Sequence, residues 1–157
     1  MLLKLNQKAP DFTLNDQESK KHSLADYLGQ WVLLYFYPKD DTPVCTTEAC
    51  TIRDNFSAFQ KAGIVVFGVS TDSVKSHDKF VKKYELPFIL LADEEKKVVN
   101  LYGVWGFKKF MGREYLGTNR MSFLINPAGQ IARVYEKVKP EEHAGEILED
   151  FHVISKK

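Results

Sequence analysis

The chain has 157 residues, of which 44% are hydrophobic and 27% charged, and its formal net charge is +1 at pH 7. A chain of this length buries enough apolar surface to be stable without disulfides or metals, so we expect a single domain over residues 1–157. The nearly neutral charge gives no reason to expect nucleic acid or a membrane surface as a partner. The N-terminus lacks a signal-peptide core and the longest apolar run, residues 31–37, cannot span a bilayer, so we expect a cytoplasmic protein.

Three continuous apolar runs are typical of strands that are buried on both faces of a sheet. They cover residues 31–37, 64–70 and 88–93. The amphipathic segments 43–61 and 73–84 lie between these runs and predict two helices. This alternation of strand and helix predicts parallel βαβ units.

Shorter elements flank these units. Residues 12–14 and 21–23 predict a small N-terminal β-hairpin, and residues 96–102 predict a short helix. Residues 103–117 contain four glycines and predict a loop. Two further β runs, joined by an Asn-Pro-Ala-Gly turn, precede a terminal helix that is expected to begin at Pro140. Together these elements predict an α/β fold with a central mixed β-sheet flanked by helices, with sites at strand ends such as residues 38–42.

Both cysteines of the chain, Cys45 and Cys50, lie in the first predicted helix. Thr42 and Pro43 are good residues for the N-cap and first position of a helix, which places Cys45 in the first turn. Unpaired backbone N–H groups and the positive end of the helix dipole favour a thiolate there. The apolar residues of this segment have the spacing of a buried stripe, which consists of Cys45, Ala49, Ile52, Phe56 and Phe59. The sulfur of Cys45 is therefore expected to point inward.

Cys50 is expected on a different face of the helix from Cys45. Five residues turn a helix by about 140° and separate the two Cα atoms by roughly 8.5 Å, beyond the limit of about 7 Å for a disulfide. The two sulfurs can therefore bond only if the helix opens. Such a pair suits chemistry in which one sulfur is oxidised first and the second then resolves it.

The residues alone leave other interpretations open. Cys45 is also compatible with a small buried apolar residue, and Cys50 with an incidental surface residue. A zinc site is disfavoured by the C-x4-C spacing and by histidines scattered at His22, His77, His143 and His152. The chain also lacks the C-x-x-C motif of a dithiol oxidoreductase.

The segment FYPKDDTPVCTTEAC closely resembles the active-site segment of peroxiredoxins, whose pattern Pro-x-x-x-Thr-x-x-Cys is met by Pro38, Thr42 and Cys45. A second cysteine five positions on is similar to the bacterioferritin comigratory protein, or peroxiredoxin Q, branch of that family. Further matches cover residues 9–14, 102–105 and 119–131. The sequence departs from the branch at Val44, where glycine is common, and in the Met-Ser pair after Arg120, where Ser or Thr pairs are more usual.

The resemblance implies a thioredoxin-like fold and a thiol peroxidase that reduces hydrogen peroxide and organic hydroperoxides without a cofactor or a bound metal. It gives Cys45 the role of the residue that attacks the peroxide and Cys50 the role of the resolving residue. It further implies an intramolecular Cys45–Cys50 disulfide that thioredoxin or glutaredoxin reduces. Val44 is expected to stiffen the first turn and slow its unwinding. The branch resemblance favours a monomer.

Four more residues receive roles from the resemblance. Arg120 is expected to stabilise the thiolate and to donate to the peroxide oxygen as negative charge develops. Thr42 is expected to cap the helix, to bind the peroxide through its hydroxyl, or to do both. Pro38 shapes the loop and shields the sulfur. Glu48, one helical turn after Cys45, orients Arg120, with an ordinary exposed glutamate as the alternative.

Two other functions remain alternatives. In the first, the protein is a thiol-disulfide oxidoreductase or redox sensor that consumes peroxide only incidentally. In the second, it is a binding module or holdase that uses residues 106–115, where three basic residues lie among three aromatic ones. A glycine-rich surface loop is the simpler interpretation of that segment, and no nucleic-acid or membrane partner is expected.

Overall fold

The structure is a computed structural model that describes residues 3–155. Nine strands are present in this part of the chain: β1 (Thr13–Asp16), β2 (Lys21–Ser23), β3 (Trp31–Phe36), β4 (Ile64–Ser70), β5 (Ile89–Ala92), β6 (Trp105–Phe110), β7 (Arg113–Thr118), β8 (Met121–Ile125) and β9 (Ile131–Tyr135). The helices are α1 (Pro43–Asp54), α2 (Phe56–Lys61), α3 (Val74–Tyr84), α4 (Lys97–Leu101) and α5 (His143–Ile154), with a 3-10 turn at Leu24–Tyr27. None of these helices is long and apolar enough to cross a membrane.

Seven strands form one mixed sheet in the order β2-β1-β5-β4-β3-β8-β9. The central strands β3, β4 and β5 are parallel, as the three continuous apolar runs predict. The strand β8 pairs antiparallel with β3 and extends the sheet on one side. On the other side β1 pairs antiparallel with β5, so the N-terminal hairpin is part of the main sheet. The expected mixed sheet with flanking helices is therefore confirmed.

Two apolar clusters cover the two faces of this sheet. One consists of strand residues such as Leu33 and Tyr35 packed against buried residues of α1, α2, α3 and α5, and it includes Cys45. The other packs strand residues such as Phe67 against the 3-10 turn, α4 and the segment around Val104. Cys45 therefore belongs to the core face on which α1 lies, and it is 2% exposed.

The predicted helix over residues 43–61 is wrong in one respect, because it consists of two helices with a break at Asn55. The backbone of Asn55 has φ −107° and ψ 9°, and its Nδ2 donates to the carbonyl oxygen of Thr51 at 2.8 Å. An Asn side chain that bonds a nearby carbonyl competes with the helical ladder, which explains the break. The terminal helix also begins later than predicted, at His143 rather than Pro140, after a turn in which Lys139 accepts from two amides.

The predicted loop over residues 103–117 is wrong, because β6 and β7 form an antiparallel hairpin there. Met111 and Gly112 make its two-residue turn, with φ values of 52° and 80°. Positive φ at both central residues is the turn that matches the twist of two antiparallel strands. Gly106 and Gly117 lie opposite each other within the hairpin and do not interrupt it.

Gly68 provides a test of how tightly the core is packed on the face of the sheet that α1 covers. It lies on β4 beside Tyr35 on β3, and an added Cβ would be 2.7 Å from Leu90 Cδ2 and 2.8 Å from Tyr35 Cζ. We therefore predict that Gly68→Ala lowers the free energy of unfolding by about 1–3 kcal/mol in urea denaturation. Gly145→Ala in α5 is the control, because a Cβ there meets no atom of the described residues within 4 Å, and it is expected to keep or raise the stability. Equal stability of Gly68→Ala and wild type would contradict the described packing.

Candidate active site

The candidate site lies where β3 ends and α1 begins. Tyr37, just after β3, still pairs with β4, because its N–H donates to the carbonyl oxygen of Val69. The chain then turns away from the sheet through residues 38–42. Asp41 has a left-handed backbone with φ 54°, a conformation that Asp tolerates better than most residues. Its carboxylate accepts hydrogen bonds from Lys83 Nζ at 2.8 Å and from the Tyr84 hydroxyl at 2.9 Å. The loop that leads into α1 is thus fixed to the C-terminal end of α3.

A buried polar network also fixes this loop, by joining Asp40 to Tyr37 and to His77 on α3. Asp40 Oδ2 lies 2.6 Å from His77 Nδ1, and Asp40 Oδ1 accepts from the Tyr37 hydroxyl. His77 Nε2 lies 2.9 Å from the carbonyl oxygen of Leu91, which can only accept. Nε2 of His77 therefore donates to that carbonyl, and Nδ1 shares a hydrogen bond with Asp40 Oδ2, so the network contains a buried, hydrogen-bonded Asp40–His77 pair.

Asp40, His77 and Asp72 also have their metal-binding atoms within 4.8 Å of one another. This proximity was not visible from the spacing of the histidines in the sequence. Asp72 Oδ2 already accepts hydrogen bonds from the Asp40 amide and the Ser70 hydroxyl. Since both nitrogens of His77 are also occupied, we interpret the group as a hydrogen-bond network that anchors the loop.

Cys45 occupies the first turn of α1, as the sequence predicts. The helix begins at Pro43, so Cys45 is the third helical residue, and the first N–H groups of a helix have no acceptor within it. Thr42 is the N-cap residue but does not cap with its side chain, because its hydroxyl donates to the carbonyl oxygen of Lys39 at 2.9 Å. Thr42 therefore holds the N-cap position that the sequence predicts but not the side-chain cap, and its hydroxyl leaves the first-turn amides to stabilise a thiolate.

Arg120 joins Cys45 to Glu48. Its Nη2 donates to Cys45 Sγ at 3.2 Å, and its Nη1 donates to Glu48 Oε1 at 2.7 Å. Arg120 immediately precedes β8, which pairs with β3 beneath α1. Burial would lower the pKa of Arg120, but the negative charges of Glu48 and Cys45 raise it. The guanidinium is therefore held as a cation against the sulfur.

Glu48 is completely buried, which rules out the alternative of an ordinary exposed glutamate. Its Oε2 and the hydroxyl of the adjacent core residue Tyr35 have no hydrogen-bond partner among residues 3–155. Burial raises the pKa of Glu48 to about 7, although the charge of Arg120 opposes this rise. The pKa of Tyr35 is also raised, chiefly by burial and then by Glu48, so the phenol stays neutral.

Cys50 lies on the more exposed side of α1. Cys45 and Cys50 are both free thiols, and both lie within the continuous helix Pro43–Asp54. Cys50 is partly exposed, and one turn later Arg53 Nη1 donates to the carbonyl oxygen of Tyr84 at 2.7 Å. The structure therefore represents the state in which the two sulfurs lie on different faces.

The structure brings together some of the predicted site residues and leaves others apart. Cys45, Arg120 and Glu48 are in direct contact, as the hydrogen bonds above describe. Pro38 is half-buried in the loop, and a shielding role for it stays a prediction. The sequence interpretation missed Asp40 and His77, although Asp40 precedes the Thr-Pro signal by only two positions.

Glu48 gives a pH-dependent test of this geometry. A carboxyl whose pKa is raised in the folded protein stabilises the fold below its unfolded pKa of about 4.5, and this contribution is lost as the pH rises through the folded value. Glu48→Gln cannot titrate but keeps an oxygen for Arg120. We predict that the Tm of wild type relative to Glu48→Gln is highest below about pH 5 and falls towards pH 8. A relative Tm that rises with pH would contradict the raised pKa.

Comparison with known proteins identifies the family. The AhpC/TSA family model matches residues 5–134. Peroxiredoxin Bcp of Bacillus subtilis (strain 168) is 43% identical over 157 residues, which cover 100% of both chains. Peroxiredoxin Bcp of Escherichia coli (strain K12) is 45% identical over 146 residues, which cover 93% of this chain and 94% of that protein.

Solved structures agree with this result. A structure of Xanthomonas campestris peroxiredoxin Q is 37% identical and has a TM-score of 0.86 over 90% of each chain. A structure of the bacterioferritin comigratory protein of the same organism, determined to study its alkyl peroxide reduction activity, is 34% identical with a TM-score of 0.89 and covers 97% of this chain and 99% of its own. The family resemblance and the thioredoxin-like fold inferred from the sequence are thus confirmed. The chain belongs to the AhpC/TSA family and is, within it, a peroxiredoxin of the Bcp type, a thiol-dependent peroxidase.

Proposed function

We propose that this peroxiredoxin reduces hydrogen peroxide and organic hydroperoxides through a sulfenic acid on Cys45 and an intramolecular Cys45–Cys50 disulfide. The observation that carries the proposal is the contact of Arg120 with both Cys45 and Glu48. A cationic donor and the free amides of a helix N-terminus surround one sulfur, and both favour its thiolate form. The thiolate is the form that attacks peroxides.

In the first step the Cys45 thiolate attacks the terminal oxygen of the hydroperoxide. An S–O bond forms as the O–O bond breaks, and the leaving oxygen takes a proton and departs as water or an alcohol. Arg120 stabilises the negative charge that develops on this oxygen, because a guanidinium donates several hydrogen bonds in a fixed geometry. The Thr42 hydroxyl is the second donor of the proposal, and it reaches the peroxide after releasing the carbonyl of Lys39.

In the second step the first turns of α1 unwind. Cys50 then attacks the sulfur of the sulfenic acid, the S–S bond forms, and the oxygen leaves as water. The contacts of Asp41 and Arg53 with Lys83 and Tyr84, at the end of α3, flank the segment that opens. Val44 is 51% exposed, so it does not act through core contacts. Its β-branched side chain allows the backbone fewer conformations than glycine would, and this slows the unwinding.

In the third step a dithiol protein, thioredoxin or alternatively glutaredoxin, reduces the disulfide by exchange. The cytoplasm is the compartment we propose, because its reducing poise keeps such dithiols available. Both catalytic cysteines lie within one chain, so the cycle needs no second subunit, and a monomer is sufficient.

Variants of the two cysteines test this cycle. In an assay that couples thioredoxin reduction to NADPH consumption, Cys45→Ser is expected to lose peroxide turnover completely because the attacking sulfur is absent. Cys50→Ser is expected to undergo one rapid oxidation and then to stop, because the sulfenic acid has no partner. Intact mass spectrometry should show an added oxygen on Cys50→Ser and a loss of two hydrogens on the wild type.

The result that would overturn the proposal is full peroxidase turnover by Cys45→Ser. The alternative of a redox sensor is tested by the rate of the first step. If hydrogen peroxide oxidises Cys45 no faster than it oxidises a free thiol, the disulfide is a signal and peroxide removal is incidental. We expect a much faster reaction, because the thiolate and the donors are already in place.

A further inference from the structure

Two neighbouring lysines of the β6–β7 hairpin have different surroundings. Lys109 is 77% exposed in its side chain, and its Nζ lies 3.6 Å from the carboxylate of Glu114 on the opposite strand. Lys108 is half-buried, and its Nζ donates to the carbonyl oxygen of Thr118 at 2.9 Å. Successive residues of a strand face opposite sides, so the hairpin directs one lysine to solvent and the other inward.

Gly117 permits the position of Lys108. It lies on β7, two residues after Tyr115 and directly before Thr118. An added Cβ would be 3.2 Å from Lys108 Cδ and 3.4 Å from Tyr115 Cε2. The aliphatic part of Lys108 therefore lies across the backbone of Gly117, and the ammonium reaches the next carbonyl group. Gly117 does not have a positive φ, so its hydrogen side chain serves this close approach and not an unusual backbone conformation.

The hydrogen bond to Thr118 holds the Lys108 ammonium at the backbone that leads into Arg120, whose Nη2 donates to Cys45. Burial lowers the pKa of Lys108, the positive charge of Arg120 lowers it further, and Cys45 raises it. Thr118, whose carbonyl the ammonium contacts, is two residues before Arg120 in the chain. Lys108 and Arg120 repel each other as cations, and a negative charge on Cys45 attracts both and offsets this repulsion.

We propose that Lys108 is a positioning residue of the peroxidase site, where its ammonium favours the thiolate of Cys45 and holds the backbone that leads into Arg120. This inference rests on the proposed function, because it assumes that the Cys45 thiolate is the reactive species. Lys108 acts through its charge and through Thr118, and within residues 3–155 it makes no hydrogen bond with Cys45. It adds a second cation to the one that the family resemblance assigns.

The other titratable groups around Cys45 and Arg120 set the background for a test. Glu48 on α1 neutralises part of the charge of Arg120, Tyr35 on β3 stays a neutral phenol, and burial lowers the pKa of His143 at the start of α5. None of these groups is altered by a substitution in the hairpin. A change in the titration of Cys45 on removal of Lys108 therefore reports on the ammonium itself.

The experiment measures the rate at which iodoacetamide alkylates Cys45 as a function of pH, in a Cys50→Ser parent that contains a single thiol. Lys108→Met is expected to shift the rate profile to higher pH by about 0.5 unit or more, less than the effect of a contacting charge. Well below the midpoint this shift makes alkylation about threefold slower at a given pH. Lys108→Arg keeps the cation and is expected to restore most of the profile.

Lys109→Met is the matched control, because it removes the same charge from the same hairpin on the exposed side. It is expected to leave the profile unchanged. Gly117→Ala keeps the charge but displaces Lys108, and it is expected to give a shift in the same direction. If Lys108→Met does not fold, Lys108→Gln removes the same charge with a side chain that suits solvent.

Equal shifts for Lys108→Met and Lys109→Met would overturn the inference, because the effect would then come from net charge alone. The inference would also be overturned if the parent's rate profile had its midpoint well below the pH of a free thiol and Lys108→Met left that midpoint unchanged. The proposed function would then remain intact. A parent that titrates as a free thiol would overturn the proposed function, and the role of Lys108 with it.

Discussion

The contact of one guanidinium with a buried sulfur and a buried carboxyl is the interaction on which the rest of the site depends. Arg120 reaches Cys45 with one nitrogen and Glu48 with another, so its orientation is fixed by two partners that lie one helical turn apart on α1. Planar donors in a fixed fork suit this geometry, whereas a single ammonium could serve only one partner. Placing these charges in the core has a cost, which is visible in the raised pKa of Glu48 and in its Oε2, which has no hydrogen-bond partner within residues 3–155.

In the proposed cycle the site must be held firmly before the peroxide reacts and must open afterwards. The loop before α1 is anchored by two sets of contacts, the buried Asp40–His77 pair and the exposed contacts of Asp41 with α3. The buried pair lies outside the helix that has to unwind, so it can hold the loop while α1 opens. The contacts of Asp41 and Arg53 lie at the two ends of α1, are at least partly exposed and are individually weak, so they oppose an opening of the helix only slightly.

The sequence predicts the features that local chemistry determines. Three continuous apolar runs predicted the parallel strands, and Thr-Pro ahead of Cys45 predicted the start of α1. Distant pairings were not predictable, because the Asp40–His77 pair joins residues 37 positions apart through the packing of α3. Two wrong predictions could have been avoided from the sequence. Met111-Gly112 is a two-residue hairpin turn within the segment predicted as a loop, and Asn55 breaks the segment predicted as one helix. The contact of Arg120 with Cys45 and Glu48 was expected only through the family resemblance, since they meet across 75 and 72 positions of sequence.

The most direct test of this account is the second-order rate constant for oxidation of Cys45 by hydrogen peroxide, measured by rapid-quench mass spectrometry in wild type and Arg120→Lys. Lysine keeps the positive charge but cannot donate to Cys45 and Glu48 together. We predict that Arg120→Lys reacts at least about a hundredfold more slowly, as expected for loss of a positioned donor to a developing oxyanion. A rate constant close to that of the wild type would show that charge alone suffices and would contradict the role given to the double contact.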